Sequence, residues 1–131
     1  MAGYSGTPLP RKLGIKEGAR VAVLGAPDDF ELDLPAGASR TTKLNGHADV
    51  VVFFTTERAA LTKRLDALTK AIRPDGGLWV AWPKKASKVP TDITEDVVRE
   101  VALPTGVVDN KVCAIDDTWS GLRLVWRKEL R

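Results

Sequence analysis

The fold is decided by Asp49-Val50-Val51-Val52-Phe53-Phe54, a run of apolar side chains that follows one acidic residue. Two similar runs stand at Arg20-Val21-Ala22-Val23-Leu24-Gly25 and Gly77-Leu78-Trp79-Val80-Ala81-Trp82. None alternates between apolar and polar residues, so each run predicts a strand that is buried on both faces. Such strands form the centre of a mostly parallel sheet between two covering layers. The sequence therefore predicts a three-layer α/β fold.

A helix is predicted between the second and third of these strands. Leu61, Leu65, Leu68 and Ile72 recur at spacings of four and three, with lysines and arginines on the opposite side. Arg73-Pro74-Asp75-Gly76-Gly77 should end this helix. The result is a strand, helix, strand unit, for which we expect a right-handed crossover.

The C-terminal third predicts one more helix and an antiparallel hairpin. Asp92 and Glu95 have the spacing of a capping box at the start of the helix. Its apolar residues are Ile93, Val97, Val98 and Val101. Strands at 111–115 and 122–127, joined by the turn 116–121, should place the hairpin at the edge of the sheet, with Leu122, Leu124 and Trp126 on one face.

The N-terminal part is more irregular. Thr7 is expected to cap a short helix that ends near Gly14. Residues 39–44 suit a short edge strand, whose orientation the sequence leaves open. The connection before it contains two prolines and is too short for a full crossover helix.

Size and composition favour one soluble domain over residues 1–131. The chain is 44% hydrophobic and 28% charged, and at this length roughly two-thirds of the extended-chain surface can be buried. No apolar leader or membrane-length run is present, which leads us to expect a cytoplasmic protein. With one cysteine, Cys113, and one histidine, His47, the chain offers neither an internal disulfide nor a cysteine-rich zinc site, and no metal is expected.

The charge balance does not identify a partner. The net charge is +3, but 17 acidic residues are spread among 20 basic ones. This balance is compatible with nucleic acid without demanding it, so we do not expect nucleic acid as the partner.

The arrangement of strand, helix and strand around Arg73-Pro74-Asp75-Gly76-Gly77, followed by a helix and a hairpin, resembles the second half of class I S-adenosylmethionine-dependent methyltransferases. Leu13-Gly14-Ile15-Lys16-Glu17-Gly18 is also similar to those enzymes. The resemblance implies a Rossmann-like sheet whose donor lies on a glycine-rich loop after the first strand. Here that loop is Gly25-Ala26-Pro27-Asp28-Asp29-Phe30, in which only Gly25 matches.

The donor site of these enzymes is therefore expected to be lost. Pro27 provides neither the backbone freedom nor the N–H that such a loop needs, and no acid follows residues 39–44 to hold a ribose hydroxyl. No cofactor is expected.

A closer resemblance is to a small bacterial family of unknown function. It is carried by Gly3-Tyr4-Ser5-Gly6-Thr7-Pro8-Leu9, Lys12-Leu13-Gly14-Ile15-Lys16, Trp79-Val80-Ala81-Trp82-Pro83-Lys84-Lys85, Val108-Asp109-Asn110-Lys111-Val112-Cys113 and Trp119-Ser120-Gly121-Leu122. The resemblance covers the chain from end to end, but it implies no activity.

Candidate ligand-binding or anion-binding residues follow the strands at their carboxyl ends, where open α/β sheets bind ligands. They are Gly25, Thr55, Lys84, Lys85 and Ser87. The two lysines and the serine precede a predicted helix N-terminus, and such a combination is able to hold an anion. A solvated basic loop is nevertheless the favoured interpretation, because the acids Asp92, Glu95 and Asp96 stand at the same helix end.

Trp119 has two open interpretations. In its polar turn it either covers a pocket or a partner surface, or it plugs the end of the sheet. The acid pairs Asp28-Asp29 and Asp116-Asp117 are interpreted as turn formers. Cys113 is interpreted as a small buried hydrophobic residue, because no histidine lies near it in the sequence to activate a nucleophile.

These features favour a non-catalytic binding or interaction domain, with no catalytic residues and with a protein or a small anion as partner. The alternative is a degenerate methyltransferase with an unusual donor pocket around Gly25, Thr55 and Lys84. A weaker alternative is nucleic-acid binding through the lysine loop 84–88, which predicts an affinity that falls steeply with salt.

Overall fold

The computed structural model describes residues 7–44 and 46–131 and contains a six-stranded sheet. Its strands are β1 (Arg20–Leu24), β2 (Ser39–Thr41), β3 (Ala48–Phe54), β4 (Ile72–Pro83), β5 (Val107–Ala114) and β6 (Trp119–Trp126), in the spatial order β2-β1-β3-β4-β6-β5. The described α-helices are α1 (Leu9–Lys12), α2 (Arg58–Ala71) and α3 (Glu95–Ala102).

The sheet is mostly parallel, as predicted. Strands β2 and β3 pair in parallel with β1, and β4 pairs in parallel with β3. Strand β6 runs antiparallel to both β4 and β5, which confirms the C-terminal hairpin. The orientation of the short edge strand is now fixed, since Arg20 lies opposite Ser39 in a parallel register.

Two different layers cover the sheet. Helices α2 and α3 pack on one face, where Leu61, Leu65 and Val98 are fully buried. The other face is covered by α1 and by residues 26–38, which contain no helix. Trp79 is completely buried beneath this second layer, and its indole Nε1–H donates to the carbonyl oxygen of Leu13 at 3.0 Å.

Several element boundaries differ from the sequence prediction. Ile72 starts β4 instead of ending the helix, because it pairs with Ala48. Residues 73–76 then bulge out of the ladder, and pairing resumes between Val50 and Gly77. Strand β5 begins at Val107, four residues before the predicted start, and α1 begins after Pro8, so Pro8 and not Thr7 is its N-cap residue.

The predicted cap of α3 is also corrected. Thr94 is the N-cap residue, and its hydroxyl accepts a hydrogen bond from the Val97 N–H at 3.2 Å. Asp92 instead serves α2, since its Oδ1 accepts from the Arg58 N–H at 2.7 Å. In the part of the chain that the structure describes, no helix has the length and apolarity needed to cross a membrane.

Candidate functional site

The chain order of the sheet reverses between β1 and β3, which is where open α/β sheets bind ligands. Gly25 follows β1 at this point with a φ of +70°. A Cβ atom on Gly25 would lie 2.7 Å from the carbonyl oxygen of Phe54, the last residue of β3. The backbones of these two neighbouring strand ends are therefore in contact, and a side chain at position 25 would meet the end of β3.

Aromatic side chains fill the space above this contact. The loop after β1 turns back at Pro27, whose carbonyl accepts from the Phe30 N–H at 3.0 Å. The Phe30 ring packs edge-on against Phe54 with centroids 4.8 Å apart, and Trp119 packs edge-on on Phe54 at 5.1 Å. Trp119 thus lies where a plug at the end of the sheet would lie.

The end of β3 is also occupied by the chain itself. Thr55 is nearly buried, and its hydroxyl accepts from the Glu57 N–H at 3.2 Å. The Thr91 hydroxyl donates to the Thr56 carbonyl oxygen at 2.7 Å. The hydroxyl of Thr55 therefore forms its hydrogen bonds within the turn that contains it, and these bonds give no indication of a ligand.

A groove lies farther along the same edge of the sheet, beside the end of β4. This β4 groove has a volume of about 550 Å³. Its walls include Trp82, Lys85, Lys88, Val89, Ile93 and Glu95. Apolar side chains form one part of the lining and two ammonium groups another, which suits a ligand with an apolar body and an anionic group.

The lysine loop contributes to this groove in part. Lys85 and Lys88 line it, whereas the Ser87 hydroxyl donates to the Lys84 carbonyl oxygen at 2.6 Å and accepts from the Val89 N–H at 3.3 Å. The Lys84 N–H donates to the Thr118 carbonyl oxygen at 2.7 Å. The structure thus brings Lys84, Lys85 and Ser87 into one loop, and it places Gly25 together with the end of β3, apart from that loop.

The acids near the groove are engaged with other groups. Arg99 forms ion pairs with Glu95, with Asp96 at 3.1 Å and with Asp109 at 3.0 Å. The hydrogen bonds that Arg99 donates to Asp109 and Glu95 raise its pKa above the ordinary value. Glu95 and Asp96 are paired with Arg99, and Asp92 binds the Arg58 N–H of α2. These three acids therefore repel an anion in the groove less than their position beside the lysine loop in the sequence suggests.

Two side chains of the groove were not expected from the sequence. The sequence predicts Trp82 in a buried strand and Ile93 on the apolar face of a helix, and neither pattern indicates a groove. Both belong to the core and also line the groove. The local signal was the apolar pair Val89-Pro90 directly after the lysine loop, which nothing in a strand or helix pattern explains.

Cys113 lies in another environment, near Lys12 and Lys111. Its side chain is partly buried against the second core, less than the sequence predicted. Burial raises the pKa of the Cys113 thiol, and the two lysines partly offset this effect. Within residues 7–44 and 46–131, no three histidine, cysteine or acidic side chains are placed to hold a metal ion.

Comparison with solved structures shows the same fold in methyltransferases. A SAM-dependent methyltransferase from Aquifex aeolicus is similar with a TM-score of 0.63 and 14% identity, over 87% of this chain and 85% of that one. A TehB-like SAM-dependent methyltransferase from Corynebacterium glutamicum has a TM-score of 0.59 and 12% identity, over 96% and 91% of the two chains. At these identities the likeness shows the fold alone.

The magnesium protoporphyrin IX methyltransferase of Synechocystis is also similar, with a TM-score of 0.52 and 14% identity over 69% of this chain. This chain spans about half of that enzyme, 46% of its length. A search of the curated proteins found no match. The model of a family described as protein of unknown function (DUF3052) matches residues 10–128, and the chain belongs to that family.

Proposed function

We propose that this chain is a non-catalytic binding domain of the cytoplasm, in which a methyltransferase-like sheet has lost its donor site and uses the β4 groove for an amphiphilic anion. The observation that carries the proposal is the contact between Gly25 and the Phe54 carbonyl oxygen at the point where the sheet order reverses. A donor that needs this crevice finds backbone and the Phe30 ring in its place.

The choice of an anion rests on the charges of the groove. Lys85 and Lys88 line it, and Glu95, the acid beside them, is paired with Arg99. The N-terminus of α3 faces the same space through Thr94, which adds a weakly positive end. Trp82 and Ile93 supply apolar surface for the rest of the ligand.

Titration calorimetry with S-adenosylmethionine tests the loss of the donor site. We expect no heat of binding, because the Phe30 ring of the loop after β1 packs on Phe54 at the end of β3. Binding in the micromolar range would contradict the proposal and favour the alternative, a degenerate methyltransferase.

The groove is tested with 8-anilinonaphthalene-1-sulfonate, an aromatic ring system with one anionic group. We expect the wild-type protein to bind this probe and the double variant Lys85→Gln with Lys88→Asn to bind it about 10-fold more weakly, since each charged contact contributes on the order of 1 kcal/mol. Asparagine is chosen because Lys88 has a φ of 62°, which asparagine tolerates.

The matched control is Lys63→Gln with Lys128→Gln, which removes the same charge from exposed positions outside the groove. Equal weakening by both double variants would mean that only net charge matters, and would contradict a site in the groove. A steep salt dependence of binding to single-stranded DNA, lost with Lys85 and Lys88, would favour the nucleic-acid alternative.

A further inference from the structure

A second pocket lies at the opposite edge of the sheet, near the amino ends of β1 and β3. This amino-edge pocket has a volume of about 390 Å³. Its lining includes Arg123, Lys16, Glu17, Asp49, Asp75 and Gly76. It is separate from the β4 groove, and the proposed function does not use it.

The guanidinium of Arg123 lies directly on the backbone of Gly77. A Cβ atom on Gly77 would lie 2.5 Å from Arg123 Nε and 2.9 Å from its Cζ and Nη2. Gly76 is equally constrained, since a Cβ there would lie 2.6 Å from the Asp49 carbonyl oxygen. The guanidinium therefore lies against Gly77, where a side chain would displace it, while Gly76 and Arg123 both line the pocket.

Arg123 has no partner among the described residues, neither a carboxylate within ion-pair distance nor a hydrogen-bond acceptor for its guanidinium. Its side chain is nevertheless about half buried, and this burial, together with Arg131, lowers its pKa. Taking a charge out of water without pairing it is unfavourable. A guanidinium held in this way is prepared for a bidentate oxyanion.

The three acids of the pocket differ in their partners. Asp49 is satisfied, because its Oδ1 is 2.9 Å from Arg73 Nε and its Oδ2 accepts from the Arg20 N–H at 2.8 Å. Glu17 and Asp75 are exposed and form no ion pair or side-chain hydrogen bond with other described residues. With Asp49 neutralised by Arg73, two cations, Lys16 and Arg123, balance two acids.

We propose that the amino-edge pocket binds small zwitterions of the α-amino-acid type, with the carboxylate on the Arg123 fork and the ammonium group at Glu17 and Asp75. An ion that is only anionic, such as phosphate, gains Arg123 and Lys16 but meets the carboxylates of Glu17 and Asp75. An ion that is only cationic meets Arg123 and Lys16. A ligand that carries both charges is favoured at both ends, and the pocket volume suits a molecule of that size.

The test measures thermal shifts and calorimetric affinities of the wild-type protein with the free amino acids, each compared with its N-acetyl derivative and its amide. We expect at least one free amino acid to stabilise the protein. Its amide, which lacks the carboxylate, should bind about 10-fold more weakly or worse, and so should its N-acetyl derivative, which lacks the ammonium group.

Arg123→Gln should weaken binding of that amino acid by about 10-fold or more. Arg127→Gln removes the same charge from an exposed arginine outside the pocket, and it should leave the affinity for that amino acid unchanged. Should the glutamine variant fail to fold, Arg123→Lys keeps the charge and loses only the fork, and it should show the same weakening. Glu17→Gln with Asp75→Asn should abolish the preference for the free acid over the N-acetyl derivative.

Three results would overturn the proposal: no amino acid stabilising the wild-type protein, equal responses of the Arg123 and Arg127 variants, or phosphate stabilising the protein more than any amino acid. None of them bears on the β4 groove, whose test uses different variants and a different probe.

Discussion

Two glycines with nearly the same backbone angle have different physical reasons for being glycine. Gly25 has a φ of +70° and Gly14 a φ of +76°, so both adopt a conformation that costs an L-residue about 1–2 kcal/mol. Around Gly14 the position of a Cβ atom is open, with no atom within 4 Å. At Gly25 that position is occupied by the Phe54 carbonyl oxygen.

Gly25→Ala should therefore destabilise the protein by about 2–5 kcal/mol, the conformational cost plus the cost of separating two packed strand ends. Gly14→Ala should cost only about 1–2 kcal/mol. Urea unfolding of the two variants measures the difference. Equal losses would mean that the end of β1 and the end of β3 are not in contact, which would also remove the main support for a closed donor site.

The amino-acid sequence accounts for the loop after β1, but it does not account for the position of Arg123. That Gly25-Ala26-Pro27 cannot cradle a nucleotide follows from the chemistry of proline and needs no coordinates. That Arg123 lies on Gly77 does not follow, because the two residues are 46 positions apart and meet only through the pairing of β4 with β6. An arginine alternating with leucines reads as an exposed side chain in any strand pattern.

Among the elements, the two long helices have caps of different origin. Thr94 caps α3 from within its own segment. Asp92 caps α2, which lies 34 residues earlier, by accepting from the Arg58 N–H. The short segment between them therefore fixes the starts of both helices, and it joins α3 to the end of β3 through Thr91 and Thr56.

Removing each cap should loosen a different helix. Asp92→Ala should speed hydrogen exchange at the Arg58 amide and leave the Val97 amide unchanged, and Thr94→Ala should do the reverse. Each substitution should lower the free energy of unfolding by about 1 kcal/mol. If Asp92→Ala instead loosens the start of α3, the capping box indicated by the sequence is correct and the assignment to α2 is wrong.

The elements show why some predictions were confirmed and others were wrong. Strands with unbroken apolar runs, such as 50–54, and the helix marked by Leu61, Leu65 and Leu68 are set by local periodicity, so the sequence was sufficient. The cap at Asp92 and the start of β5 at Val107 depend on partners distant in the chain. The spacing of Asp92 and Glu95 is compatible with a capping box, but it does not show which backbone N–H the Asp92 carboxylate binds. In the structure that N–H belongs to Arg58, at the start of α2.

The whole molecule covers its sheet in two unequal ways. On one face lies α2, whose backbone is hydrogen-bonded along its length and whose Leu65 and Leu68 side chains are buried in the core. On the other, residues 26–38 hold Phe30, Leu32 and Leu34 against the second core with few bonds of their own. Of the backbone hydrogen bonds between described residues, those donated from within 26–38 come from Phe30 and Ala38.

Native-state hydrogen exchange should therefore separate the two faces. The amides of residues 31–34 should exchange with opening free energies near zero, although their side chains cover core residues, because local opening there breaks few bonds. The interior amides of α2, at Leu65 and Leu68, should approach the free energy of global unfolding. The Phe30 amide, which donates to Pro27 at 3.0 Å, is an internal control and should exchange more slowly than its neighbours. Protection of residues 31–34 equal to that of α2 would show that this face is held by more than side-chain packing, and would contradict the account of the second layer as chain anchored chiefly by Phe30 and its neighbouring leucines.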